Sequence, residues 1–245
     1  MIFSHHGDYG DIVYSLMATK FLCDEAATPC TFYLCPAGDT RVRMSAEHAE
    51  DILPLLRAQS YIARAEWRER PLGVRIDVGQ RRFWRHGFNI ADQHAHWLAT
   101  PYSGDLAAAS PPGRWLQVEP NAMAPVVFAR SQRYRNSRFP WRELHARFGK
   151  RAGFVGTHEE HADFEANVGH VAIVPTPTLL DVARVIAGCR LFVGNQSSPR
   201  AIAEGLKVPC VIEVQQVKEP AHQGTHFARP DAWYNHVPPA DFAVE

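Results

Sequence analysis

The chain has 245 residues, 46% of them hydrophobic and 21% charged, the make-up of a globular protein with room for one large domain or two small ones. Lys+Arg and Asp+Glu both number 26, so no global field is available to hold nucleic acid or an anionic membrane, and any attraction for anions has to be local. No stretch reaches the roughly 18 apolar residues of a membrane span and no secretory signal opens the chain, while the odd set Cys23, Cys30, Cys35, Cys189 and Cys210, without a CxxC pair, points to buried thiols in a reducing, cytoplasmic compartment.

A short apolar run at residues 1–3 predicts a first strand. It breaks at HHGDYGDIVYSL, where Gly7, Asp8, Gly10 and Asp11 fall within five residues before Ile12, Val13, Leu16 and Met17 open a helical pattern. Strand, glycine turn and helix in that order start a βα unit, whose helix N-terminus is where such folds bind ligands. Val13, Leu16, Met17 and Phe21 give the helix an apolar face to about residue 26. Thr28-Pro29 stops it, and residues 30–35 (CTFYLC) read as the next strand. A turn at 36–39 leads to a helix over 46–59 with an expected kink at Pro54. Residues 61–67 and 74–78 are expected strands, 89–99 a helix, and 102–113 a loop rich in Pro, Gly, Ser and Ala.

The second half is more regular. Apolar runs at 126–129, 153–155, 171–174, 191–193 and 210–213 alternate with helices expected at 140–150, 159–167, 178–188 and 198–207, the third closed by Gly188 as a C-cap. Short buried strands alternating with helices predict a parallel sheet covered on both faces. The fold class is therefore α/β, as two facing Rossmann-like, doubly wound domains, residues 1–122 and 123–245, the second ending in an irregular tail from residue 230.

Such sheets hold ligands at the carboxyl ends of their strands. The first strand of the second half ends among Arg130, Arg133, Arg135, Arg138 and Arg142, with no acidic residue between Glu119 and Glu143. Arginine forks without local compensation suit phosphate, and a solvated basic loop or RNA-binding patch is the competing reading. The fourth strand ends at Gly194-Asn195-Gln196-Ser197-Ser198, before a helix whose exposed N–H groups make a second anion site with Ser197 or Ser198 as cap. Two anion sites at neighbouring strand ends suit a diphosphate. Glu213, ending the last strand, is expected to accept from ribose hydroxyls or to pair with one of the arginines.

In the first half, the helix dipole alone favours a carboxylate at Asp11; its functional reading is a general base that deprotonates a hydroxyl nucleophile across the cleft. A dinucleotide fingerprint is not met, because only two glycines are present and two carboxylates would face the pyrophosphate. The opening turn, with His5, His6, Gly7, Asp8 and Gly10, is thus expected on the acceptor side. Arg81, Arg82, Trp84, Arg85 and His86 suit an anionic or stacked acceptor, or a plain surface loop. His94 and His96 are two apart and His158 and His161 three apart, without HExxH spacing or a third ligand, so neither a metal nor a cofactor is expected.

With those residues assembled, the chain resembles the GT-B glycosyltransferases, and within them the family that includes bacterial ADP-heptose heptosyltransferases. GDYGDIVYSL is similar to the family's N-terminal turn, VVFARSQRYRNSRFPWREL to the opening of its donor-binding domain, and LFVGNQSSPRAIAEGLKVPCVIEV to its last diphosphate-binding βαβ unit. The resemblance implies Asp11 as catalytic base, Ser131, Arg133 and Arg135 near the donor phosphates, and Asn195, Gln196, Ser197 and Ser198 under the diphosphate. Gln196-Ser197-Ser198 stands where the family has Asp-Ser/Thr-Gly, and the chain is shorter than those enzymes. The expected function is a metal-independent glycosyltransferase, with a nucleotide-diphosphate sugar as co-substrate and a hydroxyl acceptor, either a saccharide or modified nucleic acid. A non-catalytic nucleotide- or nucleotide-sugar-binding protein on the same fold is the alternative.

Overall fold

The computed structural model describes residues 1–36, 44–70, 76–78, 90–97, 113–215, 227 and 229–244. The expected turn at 37–39, the basic segment at 81–86 and the loop at 102–112 lie outside them. In the first half, β1 (Ile2–His5) pairs in parallel with β2 (Cys30–Leu34) on one side and β4 (Ile76–Asp77) on the other, and β3 (Ile62–Trp67) extends the sheet to the order β3-β2-β1-β4. The helices are α1 (Tyr9–Glu25), α2 (Ala46–Arg57) and α3 (Ile90–Trp97). α2 runs on through Pro54, whose carbonyl still accepts from the Ala58 N–H.

α1 is the most deeply placed helix of this half, with every residue from Asp11 to Thr19 buried. A helix apolar around its whole circumference has to lie between two layers rather than on a surface. The buried hydroxyls of Ser15 and Thr19 are satisfied within the helix, Ser15 donating to the Ile12 carbonyl at 2.7 Å and Thr19 to that of Ser15 at 3.1 Å.

The second half holds β5 (Val126–Ala129), β6 (Ala152–Phe154), β7 (Ala172–Ile173), β8 (Leu191–Asn195), β9 (Cys210–Glu213) and β10 (Ala232–Tyr234), all parallel in the order β10-β9-β8-β5-β6-β7. α4 (Trp141–Phe148), a 3-10 turn (Gly149–Arg151), α5 (His158–Asn167), α6 (Leu179–Gly188) and α7 (Ser198–Gly205) alternate with the strands. One face of the sheet packs an aromatic cluster in which Trp141 meets Phe164 edge-on at 5.2 Å. The other face is continuous with the core of the first half.

Two expectations are corrected. The tail from residue 230 is not irregular throughout: β10 pairs with β9, Arg147 donates to the carbonyls of Pro238, Pro239, Ala240 and Phe242, and Arg151 to that of Val244. A three-residue strand among prolines is too short to show a period. Gly188 is the last residue of α6 rather than its cap, which is Cys189; a Cβ on Gly188 would lie 2.5 Å from the Asn121 carbonyl. The glycine is required there for space.

The halves are joined through apolar helices, α1 packing on α7 and α2 on α6. Trp115 is wedged between them, its indole N–H donating to the Val13 carbonyl at 3.0 Å while its own carbonyl accepts from the Tyr61 hydroxyl at 2.7 Å. The Gly205 carbonyl accepts from the Trp115 and Leu116 N–H groups, and a Cβ at Gly205 would come within 2.8 Å of both side chains. No described helix is long and apolar enough to cross a membrane.

Candidate active site

In each sheet the strand order reverses at one place, between β1 and β4 in the first and between β5 and β8 in the second. Crevices for ligands open at the carboxyl ends of strands at such points. Here the two face one another across a cleft of about 1320 Å³, lined from both halves.

On the first wall, β1 gives way to Gly7, Asp8, Gly10 and Asp11 at the start of α1, all four lining the cleft. Asp8 occupies the N-cap position, but its side chain makes no capping bond and is exposed. Asp11 is 7% exposed in the first turn of α1. Gly7 leaves no room for a side chain, since a Cβ would lie 2.6 Å from the His5 ring and 3.4 Å from the Asp11 Cβ. His5 is buried, its Nδ1 accepting from the Gly7 N–H at 2.8 Å, and neither His5 nor His6 lines the cleft. The structure places His5 beneath the turn, which it supports, rather than on the cleft lining. Tyr9, which the sequence did not single out, pins α1 to α2 by donating to Asp51 at 2.7 Å and to the His48 carbonyl at 3.0 Å. Burial, then the bond to Asp51, pushes its phenol well above the ordinary range.

On the second wall, Asn195 is wholly buried at the end of β8 and clamps the loop after β5. Its amide donates to the carbonyls of Ser131 and Arg133 at 3.0 and 2.6 Å, and its Oδ1 accepts from the Ser131 N–H at 3.1 Å. Asn195 therefore shapes the loop after β5 from beneath and does not itself line the cleft. Tyr134, at φ 56°, holds the left-handed turn that follows Arg133. Gln196 accepts from the Gln215 N–H at 3.0 Å and lines the cleft with Ser197 and Ser198. Ser197 sits at the N-cap of α7, yet its hydroxyl turns back to the Asn195 carbonyl and makes no capping bond. The expected side-chain cap is absent.

The arginine cluster is compensated from a distance. Arg130 grips Glu213 in two bonds of 2.9 and 3.0 Å, and Glu213 also accepts from the Asn136 N–H and the Trp141 indole. Glu213 has no exposed surface, and of its two expected roles the structure shows the pairing with an arginine. Arg135 pairs with Asp163 at 2.6 Å and is absent from the cleft lining, whereas Arg138 and Arg142 lie away from the cleft. Arg133 is the exposed cation of the set that reaches across the mouth, 3.9 Å from Asp8.

The ends of β6 and β7 complete this wall with Gly156, Thr157, Pro175, Pro177 and Leu179, none of which was anticipated. Two sequence signals mark them. Thr157 with Glu160, and Thr178 with Asp181, are capping boxes at the starts of α5 and α6. The N-termini of α1 and α7 approach closely, a Cβ built on Gly10 lying 3.8 Å from the Ser198 Cα. A ligand between them meets positive helix ends from both sides, a carboxylate from the first half and an arginine from the second. Among the described residues no group of three or more His, Cys, Asp or Glu side chains is placed to hold a metal ion.

No family model matches the sequence, and no curated protein matches it. Solved structures do. E. coli heptosyltransferase WaaC with ADP is similar at a TM-score of 0.62 and 13% identity, over 95% of this chain and 92% of that one. E. coli ADP-heptose LPS heptosyltransferase II is similar at a TM-score of 0.61 and 13% identity, over 95% and 89%. A family 9 glycosyl transferase from Veillonella parvula follows at a TM-score of 0.56 and 12% identity, over 86% and 79%. At such identities the likeness is one of fold. Two parallel α/β sheets facing each other across a cleft, matched along nearly the whole chain, give this protein the GT-B fold of the heptosyltransferases.

Proposed function

We propose that this protein is a glycosyltransferase that moves a sugar from a nucleoside-diphosphate sugar to an acceptor hydroxyl, with Asp11 as general base and no metal. The observation that carries the reading is the meeting of two helix N-termini in one cleft, with Asp11 on one side and Ser131, Arg133, Ser197 and Ser198 on the other. The acceptor oxygen attacks the anomeric carbon as the bond to the diphosphate breaks, and its proton passes to Asp11. The departing diphosphate gains negative charge where Arg133 and the first turn of α7 offer positive charge, so these groups favour the transition state over the bound donor. The structures of WaaC with ADP and with ADP-2-deoxy-2-fluoro heptose make an adenine nucleotide sugar the first donor to try. The five free cysteines are all buried, in keeping with a reducing, cytoplasmic setting.

A thermal-shift panel of nucleoside diphosphates and their sugars, followed by donor-consumption assays, tests the reading. Asp11→Asn should lower transfer by about 10²–10⁴-fold while leaving nucleoside-diphosphate binding intact. Turnover that survives the substitution removes Asp11 as the base. A protein that is stabilised by these nucleotides but consumes no donor is the non-catalytic binder instead.

A further inference from the structure

Beneath the first turn of α7 lies a charged knot that the proposed chemistry does not use. Arg200 and Glu204, four residues apart on α7, have no exposed side-chain surface and pair at 3.1 Å. Glu204 also accepts from Lys207 at 2.8 Å and from Arg229 at 3.0 Å, so it would keep two cationic partners without Arg200. Replacing buried ion pairs by apolar side chains is often neutral or stabilising, and so the knot needs a reason other than stability. Its position supplies one. Arg200 directly follows Ser198 and Pro199, which line the cleft. Its guanidinium lies 5.3 Å over the Phe227 ring, and Phe227 stacks at 5.6 Å on Tyr14, which lines the cleft one turn after Asp11. The Tyr14 hydroxyl is buried and has no hydrogen-bond partner among the described residues. The Arg200 side chain is wholly buried, where a charge is weakly screened.

We propose that Arg200 is a positioning residue for the donor diphosphate: without touching it, its buried charge strengthens the anion site formed by the start of α7. The proposal rests on the donor site assigned above. It predicts that two changes in one knot act in opposite directions. Removing the cation raises the cost of bringing a diphosphate to Ser197 and Ser198, and removing the carboxylate lowers it. For unit charges roughly 10 Å apart at an effective dielectric constant of about 20, each change is worth about tenfold in affinity.

The experiment is calorimetric titration of the full chain with ADP, extended to UDP and GDP, for wild type, Arg200→Met, Arg200→Lys, Glu204→Gln and the double variant. Arg200→Met should weaken binding about tenfold, Glu204→Gln should tighten it by about the same factor, and Arg200→Lys and the double variant should fall near wild type. A purely structural knot would shift both single variants the same way or neither, and that result overturns the role of Arg200 while leaving the donor site standing. If Glu204→Gln does not fold, Arg200→Met and its rescue by Arg200→Lys decide the matter alone, unchanged affinity in Arg200→Met counting against the proposal. Wild-type protein that binds none of the three nucleotides overturns the donor site and the proposal together.

Discussion

Asn195 bears on the cleft through the loop it holds. Its amide fastens Ser131 and Arg133 from beneath, and those two residues line the cleft. Asn195→Ala is therefore expected to cost about 1–3 kcal/mol of stability through groups left unpaired, and to weaken nucleoside-diphosphate binding as well. Thermal melts and titrations on the same protein check both, and a loss of stability with unchanged affinity would reduce Asn195 to a packing residue. Glu204 gives a second expectation. Burial alone would raise its carboxyl, but Arg200, Lys207 and Arg229 outweigh that and hold it at about 2, against an ordinary value of 4.5. The folded value is the lower one, so this stabilisation is complete above about pH 4.5 and is lost as pH falls toward about 2. Acid unfolding of Glu204→Gln should show a shallower slope across that window; equal slopes would mean the knot does not hold a charged carboxylate. Asp11 and Arg133 were legible in the sequence because a glycine turn and a strand end mark them locally. A pairing of Glu213 with one of the arginines was also legible, but not which arginine, and Arg135–Asp163 was not legible at all, since these partners lie 83 and 28 residues away.

At the scale of elements, helices announced themselves wherever an apolar face repeated. α6 shows why, with Leu179, Val182, Ala183 and Ile186 buried along one side and Thr178 capping its start. β10 was missed because three half-buried residues carry no alternation. Its existence depends on a partner strand, which a single stretch of sequence does not reveal. The wall made by the ends of β6 and β7 was legible in part, as Thr157 and Thr178 each stand three residues before a carboxylate. Glycines separate tolerance from necessity at this scale. A Cβ at Gly188 collides with the Asn121 backbone, whereas one at Gly113 meets nothing within 4 Å. Gly188→Ala should therefore cost about 1–3 kcal/mol by overpacking α6 against the segment leading into β5, while Gly113→Ala should be silent. Chemical denaturation of the pair checks this, and equal midpoints would mean that the chain at Asn121 moves aside freely.

For the whole molecule, the two-sheet plan could be read from alternation alone, but the way the halves dock could not. α1 shows no polar face, and from sequence that pattern leaves open what covers its second side; the answer is α7. A junction this apolar predicts one cooperative unfolding transition, seen alike by near-ultraviolet circular dichroism and by tryptophan fluorescence. Two separated transitions would show that each half stands alone. The same packing restricts how far the halves swing relative to one another, while across the mouth of the cleft the exposed pair of Asp8 and Arg133, 3.9 Å apart, links them. Trp115 carries a consequence for re-engineering. Its indole is matched to Val13 on one side and to Gly205 and Lys207 on the other. A first half borrowed from another protein of this fold would arrive without its side of that fit, so a stable chimaera must carry the clasp along with the graft.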